Sequence, residues 1–207
     1  MATRIASYIP HLSKDKRFSK ILAGQEPLSL TKRRDVHLHL CNSILSQQLS
    51  TQVADVIRKR FLNLYPRKPG PDDILATSTE QLRSIGLSGA KANYVHNVAR
   101  YAIEHGMDHR VLGKMSNEEV IENLTRIKGV GRWTAEMLLM FTLGREDVFA
   151  VDDLGIQQAM IRLYKLDKTN KKKLREDMLR ISVKWSPYRT YACLHLWRHK
   201  DLPAKSG

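Results

Sequence analysis

Cysteine is nearly missing from this chain: only Cys41 and Cys193 occur among 207 residues. Two thiols cannot build a disulfide framework, a four-thiolate zinc site or a four-thiolate iron–sulfur cluster. Long apolar runs are missing as well. None approaches the roughly 20 residues of a membrane span, and Arg4 with the polar residues after it leaves no signal-peptide core. The expectation is an intracellular protein with no membrane partner, in the cytoplasm or nucleoid of a bacterium or the nucleus of a eukaryote. Acid is in deficit: 21 Asp and Glu stand against 35 Lys and Arg, a formal net charge of +14 at pH 7. Such an excess repels itself unless a polyanion offsets it, and a nucleic-acid backbone is the first candidate.

What is present reads as a folded, all-α chain. Hydrophobic residues make up 42% and charged residues 27%, ordinary values for a globular protein. Basic clusters at Lys14/Lys16/Arg17/Lys20, Lys32/Arg33/Arg34, Arg58/Lys59/Arg60 and Lys171/Lys172/Lys173 are spread along the chain rather than gathered in a tail. Residues 203–207 read as a frayed end. Leu38, Cys41, Leu45 and Leu49 recur at helical spacing, and Val53, Ile57, Phe61 and Leu64 continue such a stripe. Tyr65-Pro-Arg-Lys-Pro-Gly-Pro71 is the best internal boundary. Ser78 with Gln81, and Ser116 with Glu119, fit the capping box that opens a helix. Residues 134–142 are almost continuously apolar, which predicts a helix buried on all sides. Val148-Phe-Ala-Val151 has strand-like composition, but four residues between a turn and two aspartates read better as an extended connector. No heptad seam argues for self-association, so a monomer is expected.

The most informative stretch is Leu124-Thr-Arg-Ile-Lys-Gly-Val-Gly-Arg-Trp-Thr-Ala135. A helix running to Ile127 is broken by Gly129-Val130-Gly131, and a second begins near Trp133. Glycines one residue apart allow a tight turn whose amides converge at the start of the next helix. Such an N-terminus binds phosphate through unpaired N–H groups and a partial positive charge, and Lys128 and Arg132 flank it. A bare Gly-Val-Gly would be only a loop between packed helices; the flanking pattern is far more specific.

That pattern resembles the helix–hairpin–helix DNA glycosylase superfamily, in which the hairpin is followed by a catalytic aspartate. Here Asp153 follows, in Val148-Phe-Ala-Val-Asp-Asp-Leu154. The likeness falls in the branch of bacterial 3-methyladenine DNA glycosylase II. Ile44-Leu-Ser-Gln-Gln-Leu-Ser50 resembles its early helix end, Ile85-Gly-Leu-Ser-Gly-Ala-Lys91 a second hairpin-like turn, and the stretch from Trp185 to Trp197 its C-terminal signature. The resemblance implies one glycosylase domain over 1–207, with two packed helical subdomains and an active-site cleft between them. Their expected extents are 66–153, a central bundle holding hairpin 124–135, and 1–65 packed with 154–207. The Gln47-Gln48 motif comes too early for the N-terminal sheet domain of the enteric member, so the short form is expected. Bifunctional members carry a nucleophilic lysine where Trp133 stands here, and some branches carry an iron–sulfur cluster that two cysteines cannot supply. Both departures imply a monofunctional enzyme without a metal cluster.

The implied activity is excision of alkylated purines, of the 3-methyladenine and 7-methylguanine class, from double-stranded DNA in base excision repair. Alternatives left open are a same-fold glycosylase for uracil, hypoxanthine or ethenoadenine, and a non-enzymatic duplex-binding module. Breaking the N-glycosidic bond leaves positive charge on the sugar, which a carboxylate stabilises best where water is excluded. By resemblance that carboxylate is Asp153, although Asp-Asp before Leu154-Gly-Ile156 also reads as a helix cap. Asp152 is expected to be its structural partner or the cap. The nucleotide must leave the stack, at about a few kcal/mol, and Gln48 matches the wedge that fills the gap, while Gln47 bonds nearby backbone. Trp133, Trp197 and Met137 are expected to line the base pocket, where aromatic faces hold an electron-poor, often cationic base; Trp185 is read as core. Lys128, Gly129, Val130, Gly131, Arg132, Gly89 and Lys91 are expected to contact phosphate. The carbonyls of Ile127 and Gly129 match those that hold a Na or K ion in family members; no cofactor or metal is expected in catalysis. His37, His39, His195 and His199 lack the partners of a metal site, and a phosphate-contacting or surface role is expected for all four.

Overall fold

A computed structural model describes residues 7–201, so the end at 203–207 lies outside the described residues. In chain order the helices are α1 (Tyr8–Leu12), α2 (Phe18–Leu22), α3 (Val36–Ser46), α4 (Thr51–Asn63), α5 (Pro71–Ala76), α6 (Thr79–Ser84) and α7 (Gly89–His105). They continue with α8 (His109–Leu112), α9 (Asn117–Thr125), α10 (Arg132–Phe141), α11 (Leu154–Tyr164), α12 (Lys171–Ser182) and α13 (Arg189–Asp201). A 3-10 turn, Val183–Trp185, follows α12. Among the described residues there is no strand. Residues 148–151 are a buried connector that makes no strand pairing among the described residues.

The chain divides into two compact units, residues 32–143 and residues 1–31 with 144–207. These limits differ from the expected 66–153. The proline-rich break at 65–71 lies inside a unit, because α3 and α4 pack on each other and α3 packs on both α7 and α10.

In the 32–143 unit, α7 is the central helix, contacted by α3, α5 and α6. Leu40, Ile44, Leu45, Phe61, Ile74, Leu82, Val95, Val98 and Leu124 form the buried interior. Three helix starts show their local cause. Ser78 Oγ accepts from Gln81 N–H at 3.1 Å while Gln81 Oε1 accepts from Ser78 N–H at 3.0 Å. Ser116 and Glu119 repeat the box, and Pro71 opens α5 after Gly70. Helix α10 is buried from Thr134 to Met140, but Phe141 is exposed. The expected stripe shifts on α4: α3 stops at Ser46, Leu49 and Val53 are exposed, and Ala54, Ile57 and Phe61 face inward.

In the other unit, Trp185 is fully buried, with Phe18, Phe149 and Tyr164 rings at 5.0, 5.8 and 6.2 Å. Tyr8 stacks on Tyr191 at 4.1 Å. His195 corrects the surface reading: it is 1% exposed. Its Nε2 lies 3.1 Å from the Tyr8 hydroxyl and its Nδ1 2.8 Å from Gln25 Oε1. Partners 170 or more residues away cover a side chain that looks exposed on its own helix. Burial, aided by nearby Arg198, pushes the His195 imidazole down to about 4. His37 is half-buried against the Pro69 carbonyl.

Candidate functional site

The hairpin between α9 and α10 is built as its glycines require. Val130 N–H donates to the Ile127 carbonyl at 2.9 Å, closing a turn in which Gly129 takes φ 104°. That conformation is costly for any side chain. A Cβ there would also lie 2.2 Å from Cγ of the Tyr94 ring. Gly131 serves differently. It is extended, with φ −92°, and caps α10 without a side-chain hydrogen bond; a Cβ on it would meet nothing within 4 Å. The fold needs glycine at 129, not at 131. Val130 is buried, while Lys128 is exposed.

Three side chains hold this turn from within the unit. Asn97 Nδ2 donates to the Lys128 carbonyl at 3.1 Å, and Gln47 Nε2 donates to the Gly129 carbonyl at 3.3 Å. Tyr94 lies under Gly129. Gln48, next in the chain after Gln47, is exposed with φ 58°, a left-handed conformation uncommon outside glycine.

Two expected phosphate contacts already have partners within the chain, Arg132 at the surface and Lys91 half-buried. Arg132 is paired bidentately with Glu118, at 2.6 and 3.1 Å, and its Nε reaches Glu136 at 3.1 Å. This raises the Arg132 pKa and lowers that of Glu118. Lys91 Nζ donates to the carbonyls of Leu45 at 3.0 Å and Gln47 at 2.6 Å. Desolvation lowers the pKa of its ammonium. Gly89 opens α7 after the cap Ser88, with open space where a Cβ would stand. Trp133 and Met137 lie one turn apart on α10; Trp133 is 41% exposed, so its indole is not part of the interior, and Met137 is buried.

In the other unit, Asp153 is both a cap and a held carboxylate. Its Oδ1 accepts from Ile156 N–H at 2.8 Å, opening α11, and from Trp197 Nε1–H at 2.8 Å. Trp197 therefore grips the carboxylate with its polar edge. Gly155 makes room for this: a Cβ there would lie 3.0 Å from Trp197 Cδ1 and 3.1 Å from Asp153 Oδ1. The connector leading to Asp153 is pinned on α13. Thr190 Oγ1 accepts from Val148 N–H at 3.0 Å and donates to the Arg145 carbonyl at 2.6 Å. Arg189 pairs with Asp147 at 2.7 and 2.8 Å, and Asp147 stays below the usual carboxylate range despite its burial. Asp152 pairs with Arg175 at 3.2 Å. Gly155, Thr190 and the Asp147–Arg189 pair are not singled out by the sequence; of these only Gly155, two residues past Asp153, carries a local signal, since a glycine in the first turn of a helix can mark a close approach. Among the described residues, no three His, Cys, Asp or Glu side chains converge as a metal site, and no helix is long and apolar enough to cross a membrane.

Residues 41–184 match the family described as HhH-GPD superfamily base excision DNA repair protein. DNA-3-methyladenine glycosylase 1 of Schizosaccharomyces pombe is 34% identical over 190 residues, covering 90% of this chain and 82% of its own. Among solved structures, the Mag1 3-methyladenine DNA glycosylase of the same yeast, in complex with abasic DNA, superposes with a TM-score of 0.83 at 32% identity, covering 94% of this chain and 97% of its own. A DNA-3-methyladenine glycosidase from Bacillus halodurans follows at 0.80 and 34% identity, covering 92% and 87%. With a helix-capping aspartate after a glycine-turn hairpin, and a family match over more than half its length, the chain belongs to the HhH-GPD superfamily of base excision DNA repair proteins.

Proposed function

We propose that this protein is a monofunctional DNA glycosylase that releases alkylated purines from duplex DNA by flipping out the nucleotide and hydrolysing its N-glycosidic bond. The observation that carries the reading is Asp153, whose Oδ1 is fixed by the first turn of α11 and by the Trp197 indole. A carboxylate held by preorganised donors stabilises the cationic sugar without reorganising as charge develops. In the same step it orients the water that attacks C1′ as the base departs. Alkylation weakens the bond beforehand, which suits a chain with Trp133 where bifunctional members carry lysine. Trp133 and Met137 on α10 offer an aromatic and a thioether surface to a methylated base.

Phosphate binding belongs to the hairpin backbone. Gly131 leaves the start of α10 open to an anion, and Lys128 adds charge from solvent. The carbonyls of Ile127 and Gly129 fit a monovalent cation: each accepts one hydrogen bond within the protein and keeps a second lone pair. Na or K there would add positive charge beside a phosphate, outside the hydrolytic step. Gln48, exposed at the α3–α4 turn, is assigned as the wedge.

The test is release of free base from methylated duplex DNA by wild type and Asp153→Asn, with no metal added. The substituted amide oxygen still accepts from Ile156 and Trp197, so the cap survives and only the charge is lost. Release should fall by about 10²- to 10³-fold while duplex affinity stays nearly constant, and the strand should remain unbroken. Equal loss of affinity and release would make Asp153 structural. Duplex binding without release of any methylpurine would move the substrate to another lesion.

A further inference from the structure

Lys91 stands third in α7, in the first turn after the cap Ser88. A cation is poorly placed there, since the start of a helix already carries partial positive charge. Its ammonium leaves that environment and reaches the C-terminal end of α3, where the Leu45 and Gln47 carbonyls receive it. A cation at a helix C-terminus is favourable, and these are carbonyls that the helix itself leaves unpaired. The two carbonyls bracket the point where α3 stops, one residue before Gln48 takes its left-handed backbone. The same Gln47 sends its side chain to the Gly129 carbonyl in the other hairpin. One residue therefore joins three parts: α7 through its carbonyl, the phosphate hairpin through its amide, and the Gln48 turn through the chain.

We propose that Lys91 is a positioning residue for base flipping, holding the Gln48 turn at a fixed place relative to the phosphate hairpin through the Gln47 carbonyl. The assignment rests on the glycosylase reading, in which Gln48 fills the space left by the flipped nucleotide. It differs from a phosphate contact, because both identified partners of the ammonium are backbone carbonyls of this chain. A wedge displaced by an ångström loses much of its effect, although the protein still grips DNA.

The experiment uses the full chain and a duplex in which 2-aminopurine faces a tetrahydrofuran abasic-site analogue. Fluorescence at saturating protein reads wedge insertion, anisotropy over a salt series reads phosphate grip, and neither requires base release. For Lys91→Met the fluorescence rise should fall by about half or more, with affinity within about threefold of wild type and an unchanged salt slope. Lys91→Arg, which keeps charge and donors, should restore the rise. A full rise with Lys91→Met would overturn the proposal. So would a salt slope flatter by about 0.9, the signature of one lost phosphate contact, or a wild type that gives no rise. If Lys91→Met does not fold by circular dichroism, Lys91→Gln decides: it is uncharged and too short to keep both carbonyl contacts, and must show the same partial rise. Wild type that inserts its wedge but releases no methylated base would refute the substrate and leave the wedge assignment standing.

Discussion

In the hairpin between α6 and α7, Gly86 takes φ 105°; in the hairpin between α9 and α10, Gly129 takes φ 104°. Two residues beyond each glycine stands the cap of the following helix, Ser88 in one and Gly131 in the other. Ser88 Oγ accepts from Lys91 N–H at 3.3 Å, so the first hairpin satisfies its helix start from within. Gly131 offers no side chain to α10. Five residues beyond the turn glycine the first hairpin has Lys91, bonded to α3, and the second has buried Thr134. One frame thus serves two ends. Finished with serine, it is a joint between helices; finished with glycine, it leaves the helix start without a side-chain cap, as the phosphate contact proposed above requires.

The turn glycines should separate the hairpins most. Gly129→Ala drives a Cβ into the Tyr94 ring and forces an unfavourable φ, so urea unfolding should show a loss of about 2–4 kcal/mol. At Gly86 the obstructing atom is Ile57 Cδ1 at 2.7 Å, the mobile end of a side chain; Gly86→Ala should cost about 1–2 kcal/mol. Equal losses would mean that Tyr94 yields. Gly131→Ser gives the second hairpin the cap of the first. It should lower affinity for damaged and undamaged duplex alike by about tenfold, one charge-assisted hydrogen bond, while stability rises by about a few tenths of a kcal/mol. Unchanged affinity by titration would break the contrast. Ser88→Ala should cost about 1 kcal/mol of stability and leave DNA binding as it was.

Much of this was readable in advance where the cause is local. Ser78 with Gln81 and Ser116 with Glu119 close their boxes because the partners sit three residues apart. The need for a turn at Gly129 is likewise written in its neighbours, whereas Tyr94, which doubles that need, is 35 residues away in sequence. Asp153 illustrates the overlap: it is the cap that its sequence context suggests, and the same oxygen accepts from Trp197, so capping leaves room for the catalytic role proposed for it. Lys91 and Arg132 show where sequence runs out. A basic residue beside a glycine turn suggests phosphate, but side-chain direction depends on what lies across the fold, here the end of α3 and Glu118 with Glu136.

The buried His195 ties folding to proton uptake. In the unfolded chain its imidazole gains a proton near pH 6.5, whereas in the folded protein burial delays this to about 4. Between those values the unfolded chain holds more protons, so acid draws the equilibrium toward it. The stability that His195 confers is complete above about pH 6.5 and declines as pH falls toward 4, by about 1–2 kcal/mol at pH 5. Because Tyr8 and Gln25 bond the ring, the α1–α2 segment is where acid should first loosen the protein, visible as lower amide protection factors (exchange corrected for its intrinsic pH dependence) around residues 8–25 at pH 5 than at pH 7.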